Sequence, residues 1–171
     1  MQTWDAIRSR RDVRRYQDRP IADADLDRIL EAGRRSPSSR NDQPWDFIVC
    51  TDRAQLEQLT HVWRFASHVA GSAAAVALVS PDSDDELIKN WVQYDLGQAT
   101  MSMLLTAADL GIGSAHALVV DQQLAREILG FPDGHSCWWL ITFGYPEDRP
   151  LTPIAQPKRR SFDEVVHRGR W

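Results

Sequence analysis

Five arginines crowd the start of the chain: Arg8, Arg10, Arg11, Arg14 and Arg15. A guanidinium presents a planar fork of N–H donors that matches a phosphate or a carboxylate. Arg10 and Arg14 stand four residues apart, so they share a face if the stretch is helical, and two forks on one face make an anion site. The same charges also read as a solvated basic face pairing with Asp12 and Asp18. A second basic group, Lys158-Arg159-Arg160, precedes the last predicted helix and reads either as part of that anion site or as a solubilising tail. A third constellation is the turn-rich loop Pro37-Ser38-Ser39-Arg40-Asn41-Asp42-Gln43-Pro44-Trp45. Its hydroxyls, side-chain amides and backbone N–H groups suit the edge of a heteroaromatic ring, or they simply connect a helix to a strand.

Other chemistries lack their residues. There is no GxSxG, HExxH, GxxxxGK[ST] or GxGxxG pattern. Gly111-Ile112-Gly113 ends a helical pattern and reads first as a stop signal. His61, His68, His116, His135 and His167 show no metal-ligand spacing, and His61 and His68 are expected to flank a surface helix. Asp84-Asp85-Glu86 reads as favourable charge at a helix N-terminus. Cys50 and Cys137 each sit in an apolar, strand-like run without a CxxC partner, which fits reduced core thiols in a cytoplasmic protein. The opening MQTWDAIRSRRD has no apolar stretch of the signal-peptide kind, and the weakly polar runs 69–79 and 101–110 are too short to span a bilayer.

The elements that must position these groups belong to one domain, residues 1–171. A chain of 171 residues with 43% hydrophobic and 26% charged residues can bury a core without disulfides or metals. Net charge is −4, but it is unevenly placed. Residues 1–40 hold ten Arg against seven acidic residues, residues 158–171 hold five basic against two acidic, and the middle holds five basic against fifteen acidic. The acidic middle argues against a general nucleic-acid binder, while the basic ends could serve one small anion if the fold joins them.

Apolar spacing predicts a helix over 24–34 after Asp23, stopped by Ser36-Pro37, and a short helix capped by Thr3 running into the Arg cluster. Strands are expected at 46–51, 73–80, 115–120 and 136–144, and helices at 54–62, 83–110, 121–129 and 162–167. The second half of the long helix is apolar nearly all round, which calls for burial in a large core or an oligomer interface. The tryptophans Trp45, Trp63, Trp91, Trp138 and Trp139 are expected in the core. The mixed order of helices and strands points to α+β or α/β with one sheet.

Taken together, these stretches resemble the nitroreductase-like flavoproteins. The resemblance runs through Ile7–Tyr16, then Leu26-x-x-Ile29-Leu30-Glu31-Ala32, then Ser36-Pro37-Ser38-Ser39-x-Asn41-x-Gln43-Pro44-Trp45-x-Phe47-Ile48-Val49. It continues through Asp95–Ala99, Ala107–Ser114, Phe143-Gly144-Tyr145-Pro146 and Lys158–His167. It implies an α+β fold with a central, mostly antiparallel sheet flanked by helices, a long buried helix at a homodimer interface, and FMN bound at that interface. By the same resemblance Arg10, Arg11 and Arg14, with Lys158, Arg159 and Arg160, grip the FMN phosphate. Pro37, Ser38, Ser39, Asn41 and Gln43 lie against the flavin, commonly from the partner subunit. Ser114, Ala115 and His116 bring a backbone N–H near the flavin N5, and Arg64 reaches the pyrimidine side. No catalytic side chain is implied, because the flavin carries the hydride.

Two departures stand out. Asp12 occupies a position where the family often has Ser or Thr, and a carboxylate beside a phosphate is unfavourable unless it turns away or pairs with an arginine. The chain is also short, with little room for the helices that often roof the substrate pocket. The implied activity is ping-pong transfer of hydride from NAD(P)H to an electron-poor acceptor such as a nitroaromatic or quinone. The alternatives are a flavin-binding or storage protein without efficient NAD(P)H turnover, and a relative acting on reduced flavin itself.

Overall fold

A computed structural model describes residues 1–171. In chain order the regular elements are α1 (Thr3–Ser9), α2 (Asp23–Arg34), β1 (Asp46–Cys50), α3 (Arg53–Leu59), β2 (Ala74–Pro81) and α4 (Glu86–Asp109). They continue with β3 (Gly113–Leu118), α5 (Gln122–Leu129), β4 (His135–Gly144) and α6 (Phe162–Val165). The strands form one antiparallel sheet in the order β1-β2-β4-β3. The architecture is α+β. No helix is long and apolar enough to cross a membrane.

The uninterrupted apolar run of β2 demands cover on both faces, and it has it. Successive strand side chains point to opposite sides. Val76 and Leu78, with Ile141 and Phe143 of β4, pack on Leu26 and Ile29 of α2 and Leu96, Met103 and Leu104 of α4. Ala75, Ala77 and Val79, with Leu140, pack on Leu56 and Leu59 of α3 and Ala125 of α5. Both cysteines lie in that second core, where burial pushes the Cys50 thiol up to about 11 and the Cys137 thiol to about 12.

Local signals explain most boundaries. Asp121 caps α5 by accepting from the Leu124 N–H at 2.9 Å, and Gly130 closes it with a φ of 73°. The long helix starts at Glu86 rather than at Ser83, because the Asp85 carboxylate, not the Ser83 hydroxyl, accepts from its first turn. β3 begins and ends two residues earlier than its apolar pattern suggests. The Val119 N–H still reaches the Trp138 carbonyl of β4, but the Val120 N–H leaves the sheet and donates to the Val62 carbonyl.

Three expectations are corrected. Thr3 begins α1 but does not cap it; Gln2 stands at the cap with no side-chain bond. His68 is buried within a 3-10 turn, Ser67–Val69, instead of flanking a surface helix. Of the five tryptophans only Trp45 is buried, and Trp138 is exposed at a β-bulge between β2 and β4 that turns it outward. Within one chain α4 is also only half covered: Leu87, Ile88, Tyr94 and Met101 remain exposed.

The segment after α1 matters most for function. The helix stops at Ser9, and residues 10–16 are extended against the sheet. Asp12 bridges Ser114 in parallel and Tyr16 bridges Pro146. Gly113 and Gly144 face each other across β3 and β4, leaving a patch without side chains. Val13 and Tyr16 lie on that patch so closely that a Cβ on either glycine would come within 2.7 Å of them. Tyr16 is locked there by its hydroxyl, 2.7 Å from Thr142 Oγ1. Replacing Gly113 or Gly144 by Ala is expected to cost about 1–3 kcal/mol by overpacking. Urea unfolding of each variant measures the loss.

Candidate functional site

Extension rather than helix decides how the arginine cluster is used. With a period of two, Arg10, Asp12 and Arg14 fall on one side of the segment and Val13 on the other. Arg10 Nη1 donates to Asp12 Oδ1 at 3.2 Å and Arg14 Nη2 donates to Asp12 Oδ2 at 2.9 Å. One carboxylate therefore sits between two guanidiniums, an arrangement that two arginines would equally adopt around a phosphate. Arg11 points the other way. Its guanidinium donates to the Arg149 carbonyl at 2.7 Å and approaches the Pro150 carbonyl and Asp148, both at 3.4 Å. Burial lowers its pKa, and Arg149 adds to the effect.

Beside Arg14 opens a cavity of about 560 Å3. Arg14, Arg64 and His116 line it together with an aromatic wall of Trp63, Phe65 and Trp139. His116 meets Trp139 edge-to-face at 6.3 Å, and Trp139 is held by its indole N–H donating to Gln93 Oε1 at 3.2 Å. A volume of this size is within the ordinary range for a small-molecule site. β3 forms the free end of the sheet. The Ser114 carbonyl faces outward to accept from the Val13 N–H at 2.9 Å, so by alternation His116 and Leu118 turn their backbone groups to the same uncovered edge. Ala115 lies on the opposite side of the strand from His116, and by the same alternation its backbone groups turn inward to β4.

Two imidazoles border the arginine row. Burial pushes His116 below the ordinary value of 6.5, with Asp12 opposing and Arg10 and Arg14 assisting. Burial also lowers His68, Arg14 adds to it, and the carbonyls of Phe65 and His116 and the Asp12 carboxylate oppose it. His68 Nε2 is buried with no hydrogen-bond partner in good geometry.

The loop Pro37–Gln43 does not line this cavity in its own chain. It is fastened to α4 instead. The buried Asp95 carboxylate accepts from the Ser39 N–H at 2.9 Å, the Ser39 hydroxyl at 3.3 Å and Gln98 Nε2 at 3.2 Å. Ser38 Oγ accepts from the Gln43 N–H at 2.9 Å. These bonds hold Arg40, Asn41 and Gln43 at φ of 54°, 61° and 51°, a left-handed region costly for non-glycine residues. Lys158, Arg159 and Arg160 are exposed and make only local bonds, Arg159 to the Lys158 carbonyl and Arg160 to the Glu164 carbonyl. The chain leading to them does return to the first basic segment, where the Ile154 N–H donates to the Arg8 carbonyl at 3.0 Å.

The sequence reading thus placed Arg14, Arg64 and His116, which meet at the cavity, and Arg10, which shares a carboxylate with Arg14. It missed Leu118, Trp63, Phe65 and Trp139 as lining, and Asp95 as the loop's anchor. Leu118 and Trp139 were within reach of it: Leu118 is two residues beyond His116 in a strand, and Trp139 is its cross-strand partner.

The nitroreductase family model matches residues 7–70 and 55–145, most of the chain. The chain belongs to the nitroreductase family. It is 34% identical over 173 residues to a protein of Archaeoglobus fulgidus with the provisional name NADH dehydrogenase/NAD(P)H nitroreductase, with 96% of each covered. A solved structure from Parabacteroides distasonis with the same provisional name is similar at 29% identity and a TM-score of 0.84, covering 100% of this chain and 99% of that one. The NADPH:FMN oxidoreductase of Vibrio harveyi, solved with NAD+, shares the fold with a TM-score of 0.85 at 21% identity, over 97% of this family member and 76% of its own chain.

Two predictions follow from this geometry. Asp95→Ala removes the acceptor for three donors and is expected to cost about 1–3 kcal/mol. Hydrogen exchange should show Ser39–Gln43 opening before the sheet does. Stability should also fall as pH drops below the ordinary imidazole value of 6.5, because the unfolded chain then binds protons that folded His68 and His116 resist. Urea midpoints at pH 7.5 and 5.5 test this, and His68→Gln should flatten the difference.

Proposed function

We propose that this nitroreductase-family chain is an FMN-dependent oxidoreductase that takes hydride from NAD(P)H and passes it to an electron-poor acceptor such as a nitroaromatic or quinone. The observation that carries the reading is the cavity in which Arg14, Arg64 and His116 converge beside the Arg10–Asp12–Arg14 row. The donors fit the cofactor: Asp12 shows that Arg10 and Arg14 can close on one anionic group, and the aromatic walls suit a flat ring.

In this reading Arg10 and Arg14 hold the phosphate end of FMN, and Arg64 neighbours the pyrimidine side of its ring. The outward backbone of the Ser114–His116 stretch lies along the reactive edge, where an N–H can donate. FMN supplies the hydride-accepting centre when bound, which is why no acid, base or nucleophile is needed from the chain. Trp63, Phe65 and Trp139 exclude water on one side. His116 is held neutral at pH 7 and adds no charge there.

The site is completed by a second copy. Leu87, Ile88, Tyr94 and Met101 leave an apolar face of α4 exposed, and the Pro37–Gln43 loop is fastened to Asp95 yet lines no part of the Arg14–His116 cavity of its own chain. A homodimer covers the first and carries Pro37, Ser38, Ser39, Asn41 and Gln43 to the flavin of the partner. Lys158, Arg159 and Arg160, free of strong partners, add positive charge to the phosphate, while Arg11 ties the tail that carries them. Two buried thiols without a disulfide suit a cytoplasmic setting. Substrate exchange is ping-pong, with NAD(P)H and acceptor using the same ring face in turn.

The purified protein should be yellow. Its visible absorbance should bleach anaerobically with NADH or NADPH and return when a nitroaromatic or quinone is added. Retained FMN without bleaching would mark a flavin-storage protein instead, and failure to bind FMN would remove the reading altogether. Arg14→Ala is expected to weaken FMN binding by about 1.5–3 kcal/mol, the scale of a charge-assisted hydrogen bond. Flavin-fluorescence titration reads it.

A further inference from the structure

We propose that Asp12 is an internal counter-anion that occupies the phosphate position between Arg10 and Arg14, so that FMN must compete with it and is held exchangeably. This inference rests on the FMN reading above and concerns how tightly that site binds.

The geometry is specific. Asp12 receives one guanidinium on each carboxylate oxygen, Arg10 at 3.2 Å and Arg14 at 2.9 Å. Neither arginine has another acidic partner. The row is not a flexible surface cluster. Its backbone is pinned on both sides of Asp12, by α1 ending at Ser9 and by the Val13 N–H bond to the Ser114 carbonyl. The alternation of the extended segment puts all three side chains on one side, with Val13 buried on the other.

The charge consequence is direct. Two guanidiniums alone present +2 to a phosphate dianion, whereas with the carboxylate between them the row presents +1. An arriving phosphate meets arginines already engaged, and either displaces the carboxylate or lies next to it at short range. Both are unfavourable for the anion. The Asp12 side chain is 35% exposed, so it can swing into water when displaced, and the opposition is moderate rather than prohibitive. A Ser or Thr at this position would offer a hydroxyl donor to the phosphate and leave both forks free. The phosphate is the only group affected, so the discrimination falls on FMN and not on its dephosphorylated form.

The test uses wild-type, Asp12→Asn and Asp12→Ser proteins stripped of flavin and titrated separately with FMN and riboflavin by fluorescence quenching. Both variants should bind FMN about three- to ten-fold more tightly than wild type, the range of a partly exposed charge interaction. FMN should leave them correspondingly more slowly, and riboflavin affinity should change by less than about two-fold. Unchanged or weakened FMN binding in the variants would show that Asp12 organises the arginines rather than competing for them, and would overturn the inference. Equal tightening of riboflavin would overturn it too, since the effect would then lie at the ring. If wild type binds riboflavin as well as FMN, or binds neither, the phosphate reading itself falls, an outcome the wild-type titration alone reveals. The two substitutions guard each other, Asn keeping the shape and Ser the smaller volume.

Discussion

The site depends on how closely residues 10–16 can approach the end of the sheet. Gly113 and Gly144 face each other on β3 and β4, and Val13 and Tyr16 fill the space their missing side chains leave. That contact, with the Val13 N–H bond to the Ser114 carbonyl, draws an arginine-rich stretch against the free edge of β3. An extended backbone then sorts the stretch by parity: Val13 into the core, and Arg10, Asp12 and Arg14 onto one row. Close packing of two strands on a bare patch thereby turns a run of charge into an ordered set of donors.

A second constraint comes from α4. Its buried carboxylate, Asp95, holds a loop whose residues stand in costly backbone conformations. Three hydrogen bonds to one carboxylate in a poorly solvated place are strong enough to sustain that strain. The loop is therefore set before any ligand arrives. The same helix covers one core with Leu96, Met103 and Leu104 and exposes apolar side chains elsewhere, so a single element ties the core, the loop and the face that a second copy would cover.

Much of the fold is visible in local patterning. The fully apolar run of β2, the Asp121 cap with the Gly130 stop of α5, and the spacing of Leu26, Ile29 and Leu30 in α2 each announce their element, because burial and capping leave direct marks on neighbouring residues. The arginine row is a different case. Arg10 and Arg14 at a spacing of four fit a helix as well as a strand, and nothing within five residues says that Gly113 and Gly144 will receive Val13 and Tyr16. His68 shows the same limit: it is buried beside the His116 carbonyl of β3, far away in sequence.

The sequence by itself determined one sheet in an α+β or α/β chain, a basic stretch and a polar loop, and a resemblance that implied α+β and named the residues around a flavin. Those features are set by composition, periodicity and motif, which are properties of neighbours. Only the tertiary structure decided that Arg10 and Arg14 flank Asp12, that Arg11 turns away to the tail, and that Trp63 and Phe65 line one cavity with His116. Each of these depends on which distant segments meet, and that is governed by the close approach of backbones and the burial of side chains across the whole core.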